Sequence, residues 1–308
     1  MKKQTDNSIV FFGTSEFAVP ALNLLVREGY RVILVVTPPD EPAGRSRVLQ
    51  PSPIKIAAQA LGLTVAQPPN LNQELGIMNY ELGVVCAYGK LIPKKLLDIP
   101  KYGTLNIHPS LLPKYRGASP IQAAILGGDK ETGVSIMKLD AKMDHGPIVV
   151  QETIKIDPEE TAVELNRRLA EVGAKLLIKI IPQYLNGENK SEKQDDAKAT
   201  YTKILNREDG KINWTRSADE IYNQWRALQP WPGVFFEIRN PKSEIRIKLL
   251  KMKLGEKTKQ EPGEFIILDK KRLAVACAKN QSIEILELQP EGKKPLTAEQ
   301  FINGYLKN

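Results

Sequence analysis

The sequence predicts an α/β fold, a doubly wound and mostly parallel sheet, followed by a small C-terminal β-barrel. Three observations carry that prediction. Ser8–Phe12 and Gly83–Ala87 are continuous apolar runs of strand length, the pattern of strands buried on both faces of a parallel sheet. Helical patterns alternate with such runs through the first 185 residues, the rhythm of βαβ units. Beyond Leu228 the pattern changes to short strands separated by turn signals, which suits a barrel of the OB-like kind.

In chain order, Ser8–Phe12 ends at Gly13, and a helix is expected near Pro20–Arg27. This strand–Gly–helix unit lacks G-x-G-x-x-G, whose glycines bring backbone onto a pyrophosphate, so a nicotinamide site is excluded. Arg31–Val36 is the second strand. Residues 37–53 hold five prolines and one glycine and read as an unusually long loop. In it Arg45 and Arg47 offer phosphate contacts, although a plain solvated loop fits the same composition. Pro53 opens a helix to about Leu61, Leu63–Val65 is a short strand, and Leu71–Met78 is a weakly patterned helix. Gly83–Ala87 is followed at the same sheet edge by Tyr88-Gly89-Lys90-Leu91-Ile92-Pro93, where Gly89 would let a ligand approach the backbone. A plain strand-to-helix turn explains that stretch equally well.

Pro120–Leu126 continues as a helix, and Gly133–Leu139 and Ile148–Ile156 as strands. Thr161-x-x-Glu164 is a capping box for a helix with Leu165, Leu169, Val172, Leu176 and Ile180 on one face, closed by Pro182 and Gly187. Residues 186–204 read as a linker, whose core Gly187–Lys198 is nearly devoid of apolar side chains and unable to order itself by burial. A second capping box, Ser217-x-x-Glu220, starts a helix to about Leu228. Strands are expected at Val234–Ile238, Ile245–Met252, Glu264–Leu268, Leu273–Ala278 and Ile283–Leu288. Trp214, Trp225 and Trp231 could stack on bases, but core packing is the ordinary role. The domains expected are therefore 1–185, a linker at 186–204, and 205–308.

Composition narrows the class. With 42% hydrophobic and 26% charged residues the chain is globular rather than disordered. No apolar run is long enough to span a bilayer, and Met1–Ser8 lacks the apolar core of a signal peptide, so a cytoplasmic location without membrane contact is expected. Cys86 and Cys277 each sit in an apolar run, which suits reduced core thiols rather than a disulfide. Of the net charge of +8, residues 205–308 contribute +5, from 19 Lys and Arg against 14 Asp and Glu. That excess suits a polyanionic partner, or simply a solvated lysine-rich surface. No metal-binding or covalent-nucleophile motif is present, so no metal is expected.

The densest chemistry lies between Gly103 and Gly117. Thr104–Ile107 reads as a buried strand stopped by Pro109, and Asn106 and His108, two apart, share one face at its C-terminal end. Ligands of open α/β sheets bind at such ends. A lone histidine beside a turn also fits a structural role. The order Asn106-x-His108, Ser110-Leu111-Leu112-Pro113, Arg116-Gly117 and Asp144-His145-Gly146 resembles the formyltransferases that use 10-formyltetrahydrofolate. Gly117–Gln122, Glu131–Ile136, Pro42–Arg45, Pro51–Pro53 and Leu288–Lys294 resemble the branch acting on initiator methionyl-tRNA.

The resemblance implies a Rossmann-like catalytic domain and a tRNA-binding C-terminal barrel. It implies catalysis by Asn106, His108 and Asp144, and a folate site formed by Tyr88, Gly89, Leu91, Ile92 and Pro93 with Ser110, Leu111, Leu112 and Pro113. It further implies tRNA contacts from Arg45 and Arg47, 10-formyltetrahydrofolate as co-substrate, and a monomer. His145 has no role in that pattern and is expected to be an exposed loop residue. Formyl transfer to a small amine, such as glycinamide ribonucleotide or an amino-sugar nucleotide, shares the central motifs but leaves the Arg45 loop and the basic C-terminal region unexplained. A non-catalytic RNA-binding protein would be expected to have lost one of the three catalytic groups, and all three are present.

Overall fold

The computed structural model describes residues 5–43, 48–71, 79–240 and 243–306. Arg45, Arg47 and the helix expected at 71–78, apart from Leu71, lie outside them. The chain divides into two compact units. One comprises 1–120, 131–155 and 164–203; the other comprises 121–130, 156–163 and 204–308.

In the first unit the strands are β1 (Thr5–Gly13), β2 (Tyr30–Val36), β3 (Glu41–Ala43), β4 (Val48–Gln50), β5 (Val65–Ala66), β6 (Leu82–Cys86), β7 (Thr104–His108), β8 (Arg116–Gly117), β9 (Glu131–Lys138), β10 (Ile148–Lys155) and β11 (Tyr201–Thr202). Seven of them form one sheet in the order β10-β9-β7-β6-β1-β2-β5. The five strands from β5 to β7 run parallel, and β9 and β10 add antiparallel pairs at one edge. The apolar runs behave as expected: Ile9 to Phe12 and Leu82 to Cys86 are buried throughout, because a central parallel strand has no wet face. The order reverses between β1 and β6, so a crevice opens where Gly13 and Ala87 leave the sheet. Thr14 spans that crevice by donating its hydroxyl to the Tyr88 carbonyl at 2.7 Å.

The helices of this unit are α1 (Val19–Arg27), α2 (Pro53–Ala60), α3 (Lys94–Leu97) and most of α5 (Ala162–Leu185); α4 (Pro120–Leu126) falls almost wholly in the second unit. Pro53 opens α2 behind an Ser52 cap, as its sequence requires. Three expectations need correction. Residues 37–53 are not all loop, since β3 and β4 pair as a short antiparallel ribbon. Pro182 does not close α5, which runs to Leu185, because buried Ile181 and a Tyr184 hydroxyl donated to the Tyr102 carbonyl at 2.7 Å hold the last turn. Residues 186–204 are not a solvated tether: Gln194 is buried, and β11 pairs in parallel with β8.

In the second unit, β12 (Val234–Asn240), β13 (Ser243–Leu254), β14 (Phe265–Ile267), β15 (Leu273–Cys277), β16 (Gln281–Pro290) and β17 (Leu296–Thr297) form an antiparallel sheet ordered β12-β13-β16-β15-β14, with β17 on β16. Its outer strands meet through side chains, Phe236 of β12 lying 5.8 Å from Phe265 of β14, ring centre to ring centre. The sheet therefore curls as a small barrel does. Trp214 joins this aromatic core edge-on to Phe236, and α6 (Ala218–Leu228) starts at the expected Ser217–Glu220 box. α7 (Ala298–Phe301) brings Phe301 onto Phe265. Trp231 departs from the core expectation, at 58% exposed.

Candidate active site

β7 carries Asn106 and His108 to the C-terminal edge of the sheet, and both are buried. The turn after β9 brings Asp144 against them. Its Oδ1 lies 3.5 Å from Asn106 Nδ2 and 3.7 Å from His108 Nδ1. Its Oδ2 accepts the Gly117 amide at 2.8 Å. The three groups expected at the reaction centre thus meet around one carboxylate. The other imidazole nitrogen, His108 Nε2, is 3.0 Å from the Tyr115 carbonyl oxygen, which can only accept. Nε2 therefore carries hydrogen, and Nδ1 is the ring atom left facing Asp144.

The backbone here is unusual in three places. Ala87, Tyr115 and Asp144 have φ of 45°, 61° and 48°, a region that costs non-glycine residues energy and persists only where neighbours enforce it. Gly146 is required for another reason: a Cβ there would overlap the Lys138 carbonyl oxygen. Behind the site, Ser135 Oγ donates to the Ser110 carbonyl at 2.6 Å and accepts the Leu112 amide at 3.0 Å, while Gln151 Nε2 donates to both Ser135 Oγ and the Leu112 carbonyl. These bonds fix the chain between His108 and Tyr115.

A cleft of about 250 Å³ lies beside the sheet edge, lined by Pro68, Pro69, Asn70, Leu71, Tyr88, Lys90, Leu91 and Pro93. Of the residues expected to hold folate, Tyr88, Leu91 and Pro93 line it. Gly89 does not, although its φ of 76° fits the expected backbone turn. Ile92 packs on the core, and Ser110, Leu111, Leu112 and Pro113 line no part of this cleft. Ser110 donates its hydroxyl to the Lys114 carbonyl, and Leu112 is buried. Burial raises the Tyr88 phenol above its usual pKa, so it stays protonated, and its buried hydroxyl has no partner among the described residues.

Sequence reasoning missed the polar residues that hold the Asp144 turn from behind. Arg116, 1% exposed, donates to Gln194 Oε1 from Nε (3.1 Å) and Nη2 (2.8 Å), to Asp196 Oδ1 from Nη2 (2.8 Å) and to Tyr201 Oη from Nη1 (3.1 Å). Burial alone would lower the guanidinium pKa; the bonds to Asp196 and Tyr201 outweigh it and raise the value. Gln194 in turn donates to the carbonyl oxygens of Asp144 and Gly146. The one available signal was Arg116-Gly117 as part of the motif that carries the resemblance. His145 is also corrected: it is half-buried, with Nδ1 2.6 Å from Asp140 Oδ2 and Nε2 3.4 Å from Asp196 Oδ2. Among the described residues no group of His, Cys, Asp and Glu is placed to hold a metal ion, and no helix is long and apolar enough to cross a membrane.

Residues 7–181 match the family described as formyl transferase, and residues 204–306 its C-terminal domain. Methionyl-tRNA formyltransferase of Carboxydothermus hydrogenoformans is 44% identical over 301 residues, covering 96% of each chain, and that of Acidobacterium capsulatum is 43% identical over 303, again 96% of each. The chain belongs to the methionyl-tRNA formyltransferase family. Membership fits the fold as well as the sequence. A sugar 3N-formyl transferase solved in the presence of dTDP and 5-N-formyl-THF superposes with a TM-score of 0.68 at 22% identity, over 94% of this chain and 100% of that one. The N-formyltransferase of Helicobacter canadensis gives 0.67 at 20%, over 91% and 98%.

Proposed function

We propose that this protein transfers the formyl group of 10-formyltetrahydrofolate to the α-amino group of methionine on initiator tRNA, with Asn106, His108 and Asp144 as its catalytic residues. The amine nitrogen forms a bond to the formyl carbon, whose oxygen takes the negative charge. The bond from that carbon to the folate nitrogen then breaks, that nitrogen gains a proton, and the attacking nitrogen loses one. Such a step needs donors for the oxyanion and a group that moves the proton. Asn106 supplies an amide N–H. Protonated His108 supplies Nδ1–H, its Nε2 being committed to Tyr115. Asp144 orients His108 and relays the proton between the two nitrogens.

The observation that carries the reading is the shared carboxylate oxygen, Asp144 Oδ1, within 3.7 Å of both the amide and the imidazole. The folate substrate suits the cleft at Tyr88, where Pro68, Pro69, Leu71, Leu91 and Pro93 offer apolar surface to a ring and Asn70 and Lys90 offer polar groups beside it. The same reading makes 1–185 the catalytic domain and 205–308 the tRNA-binding domain, with Arg45 and Arg47 on the acceptor end and a monomer working in the cytoplasm.

The test is transfer of labelled formyl to charged initiator tRNA, elongator methionine tRNA and a free amino sugar. Transfer to the initiator alone is expected. Asp144→Ala should lower kcat by about 10²- to 10⁴-fold, as loss of a proton-transfer group does, with tRNA affinity unchanged. Turnover by that variant at the wild-type rate would refute the assignment.

A further inference from the structure

Gln194 stands in a stretch that composition alone reads as linker, yet it is 5% exposed. Its carboxamide is fully used. Oε1 accepts from Arg116 Nε and Nη2, and Nε2 donates to the carbonyl oxygens of Asp144 (2.9 Å) and Gly146 (2.7 Å). Only one orientation of the amide works, because a flipped group would set its NH2 against the guanidinium and its oxygen against two carbonyls. The two carbonyls bracket the turn on which Asp144 holds its φ of 48°.

We infer that Gln194 is a positioning residue for formyl transfer: it ties the 144–146 turn to the buried Arg116 cation and so keeps the Asp144 carboxylate on Asn106 and His108. This inference rests on the proposed role of Asp144. Gln194 grips the turn only through backbone, so its own side chain need not meet substrate. Its segment has other anchors. Arg116 holds Asp196, β11 pairs with β8, and Thr202 Oγ1 accepts the Ser119 amide and donates to the Arg116 carbonyl. Removing the Gln194 donors therefore frees the turn while leaving the segment in place.

Two substitutions separate these contributions. Gln194→Glu keeps an acceptor for Arg116 but sets a carboxylate oxygen against the two carbonyls. Gln194→Met keeps the length and loses both halves. For each, kcat, the KM for methionyl-tRNA, the KM for 10-formyltetrahydrofolate and the Tm are measured beside wild type and Asp144→Ala. Both variants should lose kcat about 100-fold, the effect of a displaced catalytic group, with both KM values within about twofold. Gln194→Met should also lose Tm, since it strands the Arg116 donors; if it does not fold, the Glu variant decides. A folded Glu variant with wild-type kcat, or a loss expressed in KM instead, overturns the inference. Unfolding of both variants marks Gln194 as structural support and overturns it too. Wild-type turnover by Asp144→Ala would remove the proposed role of Asp144, and no formyl transfer by the wild type would remove the proposed function itself, whereas an inactive Asp144→Ala beside an active Gln194→Glu removes only the role of Gln194.

Discussion

Replacing Gly117 by alanine tests how tightly the site is set. The Gly117 amide is the donor on Asp144 Oδ2, at 2.8 Å. Its φ is 107°, where an L side chain costs about 1–3 kcal/mol. A Cβ there would lie 2.6 Å from the Thr202 carbonyl oxygen, and ordinary contact needs 3.4 Å, so β8 must move by about 0.8 Å. A shift of that size along the amide bond would lengthen it to about 3.6 Å, beyond a hydrogen bond; a shift across it would bend it. Asp144 would then lose its fixed oxygen, and kcat should fall about 100-fold with KM nearly constant. Gly187→Ala provides the control. Its φ of 72° carries a similar backbone cost, but nothing lies within 4 Å of the added methyl. Steady-state formyl transfer by both variants, with Tm measured in parallel, separates strain from displacement. Full kcat in Gly117→Ala, or an equal fall in Gly187→Ala, would show that the Gly117 amide does not set the carboxylate.

Two further outcomes follow from burial and charge. The hydrogen bond from Arg116 holds the Asp196 pKa below the ordinary value of 3.8. A depressed carboxylate stabilises the fold above its unfolded pKa, and that contribution is lost as pH falls through the lower folded value. The wild-type melting temperature should therefore drop more steeply below about pH 4 than that of Asp196→Asn; parallel acid limbs would show that the pair contributes nothing. Burial raises both thiols, Cys277 to about 12 and Cys86 further. Neither should react with iodoacetamide at pH 8 in the native protein, and both should in denaturant; mass spectrometry counts the adducts, and a native adduct at Cys86 would contradict its burial.

The sheet was legible because its signals are local. Ile9–Phe12 and Val84–Val85 can be buried on two faces only as central strands, and Ser217–Glu220 caps α6 with residues three apart. The meeting of Asn106 with His108 followed from strand periodicity. That Asp144 joins them came from resemblance alone, since no spacing rule links residues 38 positions apart. The order in 186–204 was hidden for a different reason. Composition asks whether a segment can bury apolar surface, and this one cannot. It is held instead by polar bonds: to the buried Arg116 about 80 residues earlier, to the Asp144 and Gly146 carbonyls, through two backbone bonds between Glu192 and Ile148, and through one short parallel pairing. Pro182 misled in the same way, because the contacts that keep the last turn of α5 are made by Ile181 and Tyr184 to distant residues.

The strain at Asp144 and the bonds around it are of comparable size. A non-glycine residue in the left-handed region costs on the order of 1–3 kcal/mol. The two hydrogen bonds from Gln194 contribute about 1 kcal/mol each, and a backbone N–H on a carboxylate, as from Gly117, about 1.5–3 kcal/mol. Together they come to about 3.5–5 kcal/mol, more than the strain, but with either support gone the other, about 1.5–3 kcal/mol, only matches it. The turn then has no reserve, and the carboxylate is no longer held to one place beside His108 Nδ1. The role proposed for Asp144, orienting an imidazole and passing a proton between two nitrogens, benefits from this arrangement. The carboxylate is fixed before substrate arrives, so little reorganisation remains to be done as charge develops on the formyl oxygen.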